Sequence, residues 1–142
     1  MSASVLAIMA LVMTNGAKAT TYAMTVELQN APACLHDEKT ESAEQAARKR
    51  SALGATRAIN TAESRYAAAN KRYGAQGDLA GLLDPRYNLG ADPGTEIVPG
   101  FTLTLDVSEK GYWFEVKDTT DPCGFRFISN QQGLIFTARP IQ

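Results

Sequence analysis

The spacing of apolar residues in the middle of the chain leaves little freedom for its fold. Ile59, Ala62, Tyr66, Ala69 and Tyr73 recur at intervals of 3, 4, 3 and 4, the period that lines one face of an α-helix. Ser42, with Gln45 three residues on, has the form of a capping box, and Asp37 is an alternative start. Asp37, Glu38, Glu41 and Glu44 crowd this end, while Lys71 and Arg72 stand at the other. That distribution complements the helix dipole. Gly74 is placed to cap the C-terminus. A long amphipathic helix follows, with one stripe that needs a cover.

The second half supplies it. Asp78, Leu79, Leu82 and Leu83 predict one capped helical turn, ended by Asp84-Pro85. Residues 84–100 hold three prolines and three glycines and read as a loop. Phe101, Leu103, Leu105 and Val107 then alternate with polar partners, the period of a half-buried strand. Ser108-Glu109-Lys110-Gly111 turns the chain into a strand over 112–117. Residues 125–129 and 134–138 flank Asn130-Gln131-Gln132-Gly133 as a second hairpin. The expected class is α+β, the long helix packed on a three- to four-stranded antiparallel sheet. Tyr112, Phe114 and Val116 belong to the core face. Trp113 is left outward, either against a partner or under a neighbouring loop.

Ser4–Met13 is a ten-residue apolar run, too short to span a bilayer core of roughly 30 Å. Ala17 and Ala19 follow at the spacing a leader peptidase accepts, which predicts a signal peptide over 1–19 and a single globular domain over 20–142. The alternative is an N-terminal helix that stays attached. Thr21–Gln29 alternates locally and reads as a short strand or extended arm, broken by Asn30-Ala31-Pro32-Ala33. Export agrees with the cysteines. Only Cys34 and Cys123 occur, and in an oxidising compartment they would pair. Chain entropy gives such a bond about 4–5 kcal/mol. Two separate thiols are the alternative.

Formal net charge is −1, which argues against nucleic acid as the main partner. Between His36 and Tyr73 there are eight Lys/Arg against five Asp/Glu; from Gly74 to Gln142 the balance is five against nine. Arg48, Lys49 and Arg50 form a basic cluster on the helix, a solvated face or a dock for an acidic surface. The single histidine, His36, sits in Cys34-Leu35-His36-Asp37-Glu38. It lacks the separated ligand pairs of a zinc site and the third group of a nucleophile dyad, so it reads as part of an exposed segment ahead of the helix. Asp118 and Asp121 lie in a turn-rich stretch and fit Asx-turn bonding better than paired-carboxylate catalysis. A concave site lined by Asp118, Asp121 and Arg126 would be needed to reverse that reading. No cofactor or metal is expected, and no phosphate loop, GxSxG elbow or HExxH motif is present.

Several short stretches resemble one family. Ser51-Ala52-Leu53-Gly54-Ala55-Thr56-Arg57-Ala58-Ile59-Asn60-Thr61-Ala62-Glu63, then Tyr66 and Tyr73-Gly74, is similar to the later half of the long helix in bacterial type IV pilins and pseudopilins. Asp78-Leu79-Ala80-Gly81-Leu82-Leu83, the strand opening Gly111-Tyr112, and the hairpin from Phe125 to Ile135 follow in that family's order. The resemblance covers about residues 45–138; the family's processing site and N-terminal membrane helix have no counterpart in it. It implies a pilin-like globular fold and a non-enzymatic structural or interaction subunit of the cell envelope, periplasmic or extracellular. The partners implied are other envelope or pilus proteins or a second copy, with no stable membrane span after leader removal. An independent periplasmic binding or inhibitor domain is the alternative.

Overall fold

Ser42 starts the helix as expected. Its N–H donates to Gln45 Oε1 (2.8 Å) and its hydroxyl accepts from the Gln45 N–H (3.2 Å). In the computed structural model, which describes residues 34–36, 39–90 and 92–139, helix α1 runs Ala43–Asn70. The leader, the Thr21–Gln29 arm and the Asp37 start lie outside the described residues. The helix ends before Gly74. Lys71 takes the left-handed conformation (φ 59°) and closes the last turn through its N–H to the Ala67 carbonyl. Gly74 instead lies buried against Tyr66 and Leu79.

The chain then forms a short helix α2, Gln76–Leu79, continued by a 3₁₀ turn, Ala80–Leu82. Asp78 acts from within α2, where its carboxylate accepts from the Ala75 N–H. Five strands follow: β1 Thr95–Val98, β2 Phe101–Ser108, β3 Gly111–Asp118, β4 Arg126–Asn130 and β5 Ile135–Ala138. They make one antiparallel meander in the order β1-β2-β3-β4-β5. The sheet thus has one strand more than the upper expectation. The extra strand is β1, inside the stretch read as a loop, and the Pro99-Gly100 turn creates it. Gly100 has φ 80° and Val98 pairs with Phe101, so Pro99 and Gly100 occupy the two central positions of a type II turn.

Register divides the sheet cleanly. Phe101, Leu103, Phe114, Val116 and Phe127 face inward and are buried, while Thr102, Thr104, Glu115 and Lys117 face out. Helix α1 covers the inner face with small side chains. Ala52, Ala55, Ile59 and Ala62 are all buried, which lets the helix approach the aromatic layer closely. The stripe therefore begins two turns before Ile59. At its other end Ala69 is exposed, contrary to expectation, along with Ala68, Asn70 and Lys71. The buried line follows the chain rather than the helical period there: Tyr73 lies beyond the helix and meets Tyr112 edge-on at 5.1 Å.

Gly100 serves the turn and a neighbour together. A Cβ there would fall 2.1 Å from Arg48 Nη2. Gly100→Ala is therefore expected to destabilise the protein by about 1–3 kcal/mol, read as a lower urea midpoint. An unchanged midpoint would mean that neither the positive φ nor the close approach is needed.

Candidate functional site

Two ends of α1 concentrate the polar groups that the core encloses. At the N-terminal end His36 is 1% exposed. This overturns its reading as an exposed residue. The Cys34–Cys123 disulfide is formed, across 89 positions of sequence, and it draws the segment ahead of the helix onto the β3–β4 connection. There the His36 ring lies 4.5 Å from that of Phe125. Nδ1 is 2.8 Å from Glu41 Oε1 and Nε2 is 2.8 Å from Asp118 Oδ2. A protonated ring donates to both carboxylates.

Asp118 closes β3 and collects the other contacts. Its Oδ1 accepts from the Thr120 N–H (2.8 Å), the Thr120 hydroxyl (2.7 Å) and the Asp121 N–H (3.2 Å). Arg48 Nη2 approaches the same carboxylate at 3.3 Å and donates to the Thr120 hydroxyl. Lys49 donates to Glu41 at 2.7 Å. Asp121 forms the expected Asx turn, accepting from the Cys123 and Phe125 N–H groups, and also receives the Leu35 N–H. Burial alone would push Asp118 and Glu41 up. For Asp118 the bonds from His36 and Thr120 and the charge of Arg48 outweigh it; for Glu41 the bonds and charges of Lys49 and His36 do so. Both carboxyls are held below their ordinary range.

The imidazole here is a fastener. Both nitrogens are occupied by carboxylates, neither faces a hydroxyl, and the neighbouring cysteine is oxidised. Arg126 does not join Asp118 and Asp121; it pairs with Glu115 on the outer sheet face at 2.8 Å. Among the described residues no group of three or more His, Cys, Asp and Glu is placed to hold a metal, and no helix is long and apolar enough to cross a membrane.

Toward the other end, Glu63 is fully buried. Its Oε2 accepts from the Gly74 N–H at 3.0 Å, while Oε1 has no hydrogen-bond partner. Burial raises the carboxyl above its ordinary range, only partly offset by the Gly74 bond, and Asp78 adds to the rise. Tyr112 is pushed up to about 12 by burial first and by the nearby charge of Glu63 second. Between these ends Asn60 fastens the helix to the last hairpin, donating to Ser129 Oγ (2.9 Å) and accepting from the Tyr112 hydroxyl (3.0 Å). A groove of about 400 Å³ runs beside it, lined by Thr61, Ser64, Arg65 and Gln131 among others.

Of the expected surface residues, Arg48 and Lys49 are spent on Asp118 and Glu41, and Arg50 is exposed. Among the described residues no loop buries Trp113. It stands on the outer face, 44% exposed, with its indole N–H on Asp106 at 3.1 Å. Two further exposed apolar residues were not expected: Leu134 and Phe136 are 56% and 54% exposed. Phe136 pairs across from Ile128 and Trp113 across from Asn130, so these side chains share one face at the β4–β5 side. The uninterrupted Leu134-Ile135-Phe136 run was the available signal, since three consecutive apolar residues in a strand cannot all point inward. No family model, characterised protein or solved structure matches the chain.

The two polar ends respond to pH with opposite sign. Asp118 and Glu41 stabilise the fold above the ordinary carboxylate range, and that contribution is lost as pH falls through their depressed folded values. Glu63 contributes fully below about pH 4.5 and loses its contribution as pH rises through its raised value. Glu63→Gln is therefore expected to be more stable than the parent at pH 7, with the two converging below pH 4.5. Equal stability at pH 7 in parallel urea melts would show that Glu63 bears no burial penalty. Asp118→Ala strands His36 and Arg48 and is expected to cost about 3–5 kcal/mol; a loss below 1 kcal/mol would contradict the fastening role.

Proposed function

We propose that this chain is a non-enzymatic, pilin-like interaction subunit of the bacterial cell envelope, acting through the outer face of its sheet. The carrying observation is the exposed group Trp113, Leu134 and Phe136 beside Ile128. Several exposed apolar side chains on one side of the sheet make a surface suited to a protein partner, whereas single exposed apolar residues are ordinary. The helix and disulfide hold that face rigid from behind, so it is presented ready-formed and little ordering entropy is lost on contact.

The disulfide supports placement outside the cytoplasm, because such bonds form and persist in oxidising compartments. The Ser4–Met13 run and the Ala17/Ala19 spacing supply an export signal for the same route. The order of the pilin-like segments supports a structural subunit, with other envelope proteins or copies of itself as partners. A second reading, a soluble periplasmic binding domain, is favoured by the polar groove along Asn60 and Arg65.

Expressed from Met1 in a bacterial host, the chain is expected in the periplasm, beginning at Thr20 and lighter by two hydrogens until reduced. A photoreactive phenylalanine analogue at Trp113 should then cross-link to an envelope protein on illumination of native cells. A cytosolic, reduced product would overturn the envelope assignment. Export without any Trp113 adduct would overturn the sheet-face role and favour the groove.

A further inference from the structure

The two edges of the sheet are built differently. β1 carries Glu96, is bracketed by Pro93 and Pro99, and has a register shift between Glu96 and Val98. Charge, proline and irregularity are the devices that keep an edge strand from pairing with another chain. β5 itself has none of them: Gly133–Ala138 contains no charge and no proline, and Arg139 and Pro140 come only after the strand has ended. Among the described residues nothing pairs with its outer side, since β4 is its one neighbour in the sheet.

Ladder alternation fixes which backbone groups are free. The Gln131 N–H donates to the Tyr112 carbonyl and the Asp118 N–H to the Phe125 carbonyl. In the β3–β4 register the hydrogen-bonded pairs are therefore Phe114–Ser129 and Val116–Phe127. Ile128 and Arg126 then turn their backbone groups to β5, where they oppose Phe136 and Ala138. By the same alternation the N–H and C=O groups of Ile135 and Thr137 point off the sheet.

The geometry points to a second copy of this chain on that edge, its β5 antiparallel to the first about a twofold axis through Phe136, so that two five-stranded sheets become one. This rests on the interaction-surface reading above and names the partner. The edge complements itself. In this register Ile135 and Thr137 exchange hydrogen bonds with their twofold mates. Phe136 faces Phe136 as a non-hydrogen-bonded pair, where opposed side chains are closest. Leu134 falls opposite Ala138, and Arg139 falls opposite Gly133, so no like charges meet. Leu134 and Phe136, both more than half exposed, become the centre of one apolar stripe running across the seam. An isologous contact of this kind closes on itself and stops at two copies.

The experiment is sedimentation equilibrium of the oxidised full chain over a concentration series, for the parent and for Thr137→Pro and Phe136→Lys. Proline at 137 removes an N–H that points off the sheet and leaves the β4–β5 ladder intact. The parent is expected to double in mass with rising concentration, and each variant to weaken dimerisation at least tenfold while keeping the parent's circular dichroism spectrum. Should Thr137→Pro fail to fold, Phe136→Cys decides: air oxidation should give a covalent dimer through position 136 at concentrations where Leu134→Cys does not. A parent that stays monomeric throughout overturns the proposal. So does a dimer that a folded Thr137→Pro leaves intact, or equal cross-linking at 134 and 136. Those failures leave the envelope reading standing, because that reading is tested through export and through Trp113.

Discussion

The carboxylate of Asp118 is the point on which the N-terminal half of the molecule is hung. It is buried at the end of β3, and it receives His36 from the disulfide arm, Arg48 from the helix, and Thr120 and Asp121 from the following turn. A buried charge is tolerable only when its lone pairs are filled, and here the donors come from three separate parts of the chain: the arm, the helix and the turn after β3. The arrangement can be completed only when helix, sheet and arm are all in place. That makes it a device for uniqueness of structure more than for net stability, since the desolvation of the ions offsets much of their attraction.

The disulfide and the His36 pair act on the same short segment by different means. The covalent bond removes freedom from the unfolded chain, but by itself it leaves residues 34–36 free to swivel about the cysteine side chains. The two carboxylates and the Phe125 ring set the orientation that the bond does not. Glu63 contrasts with this cluster. It lies in the same helix, equally buried, yet it has one backbone donor and an oxygen without a hydrogen-bond partner. The helix is thus fastened by satisfied charges at its start and carries an incompletely satisfied acid toward its end. The two carboxyl sites consequently shift in opposite directions.

Much of this was legible in the residues. The Ser42–Gln45 box, the alternation from Phe101 to Val107 and both later hairpins appear where periodicity and turn chemistry put them, because those signals are local. The failures were non-local. Ala52 and Ala55 did not read as core because alanine carries no large hydrophobic signal, although close helix–sheet approach is what calls for it. β1 was hidden by the prolines and glycines around it, although Pro99-Gly100 is itself a hairpin turn. His36 looked exposed because its two partners are 5 and 82 residues away, and nothing in Cys34-Leu35-His36 announces Asp118. Ala69 obeyed the helical period but lay in a final turn that is exposed.

The same logic separates the two faces of the sheet. The inner face is filled by side chains whose alternation is strict, so the direction of each follows from register. The outer face follows that register too, and at β2 and β3 it is occupied by threonines, acids and lysine, apart from Trp113. At β4 and β5 apolar residues join it between Arg126 and Asn130: a half-buried Ile128 opposes an exposed Phe136. A fold needs only one of its sheet faces apolar, and α1 already covers that one. The outward apolar residues therefore contribute little to folding the monomer. Their position beside the edge strand that holds no charge, proline or register shift within its own length gives them a shared explanation: the sheet is finished on its β1 side and unfinished on its β5 side.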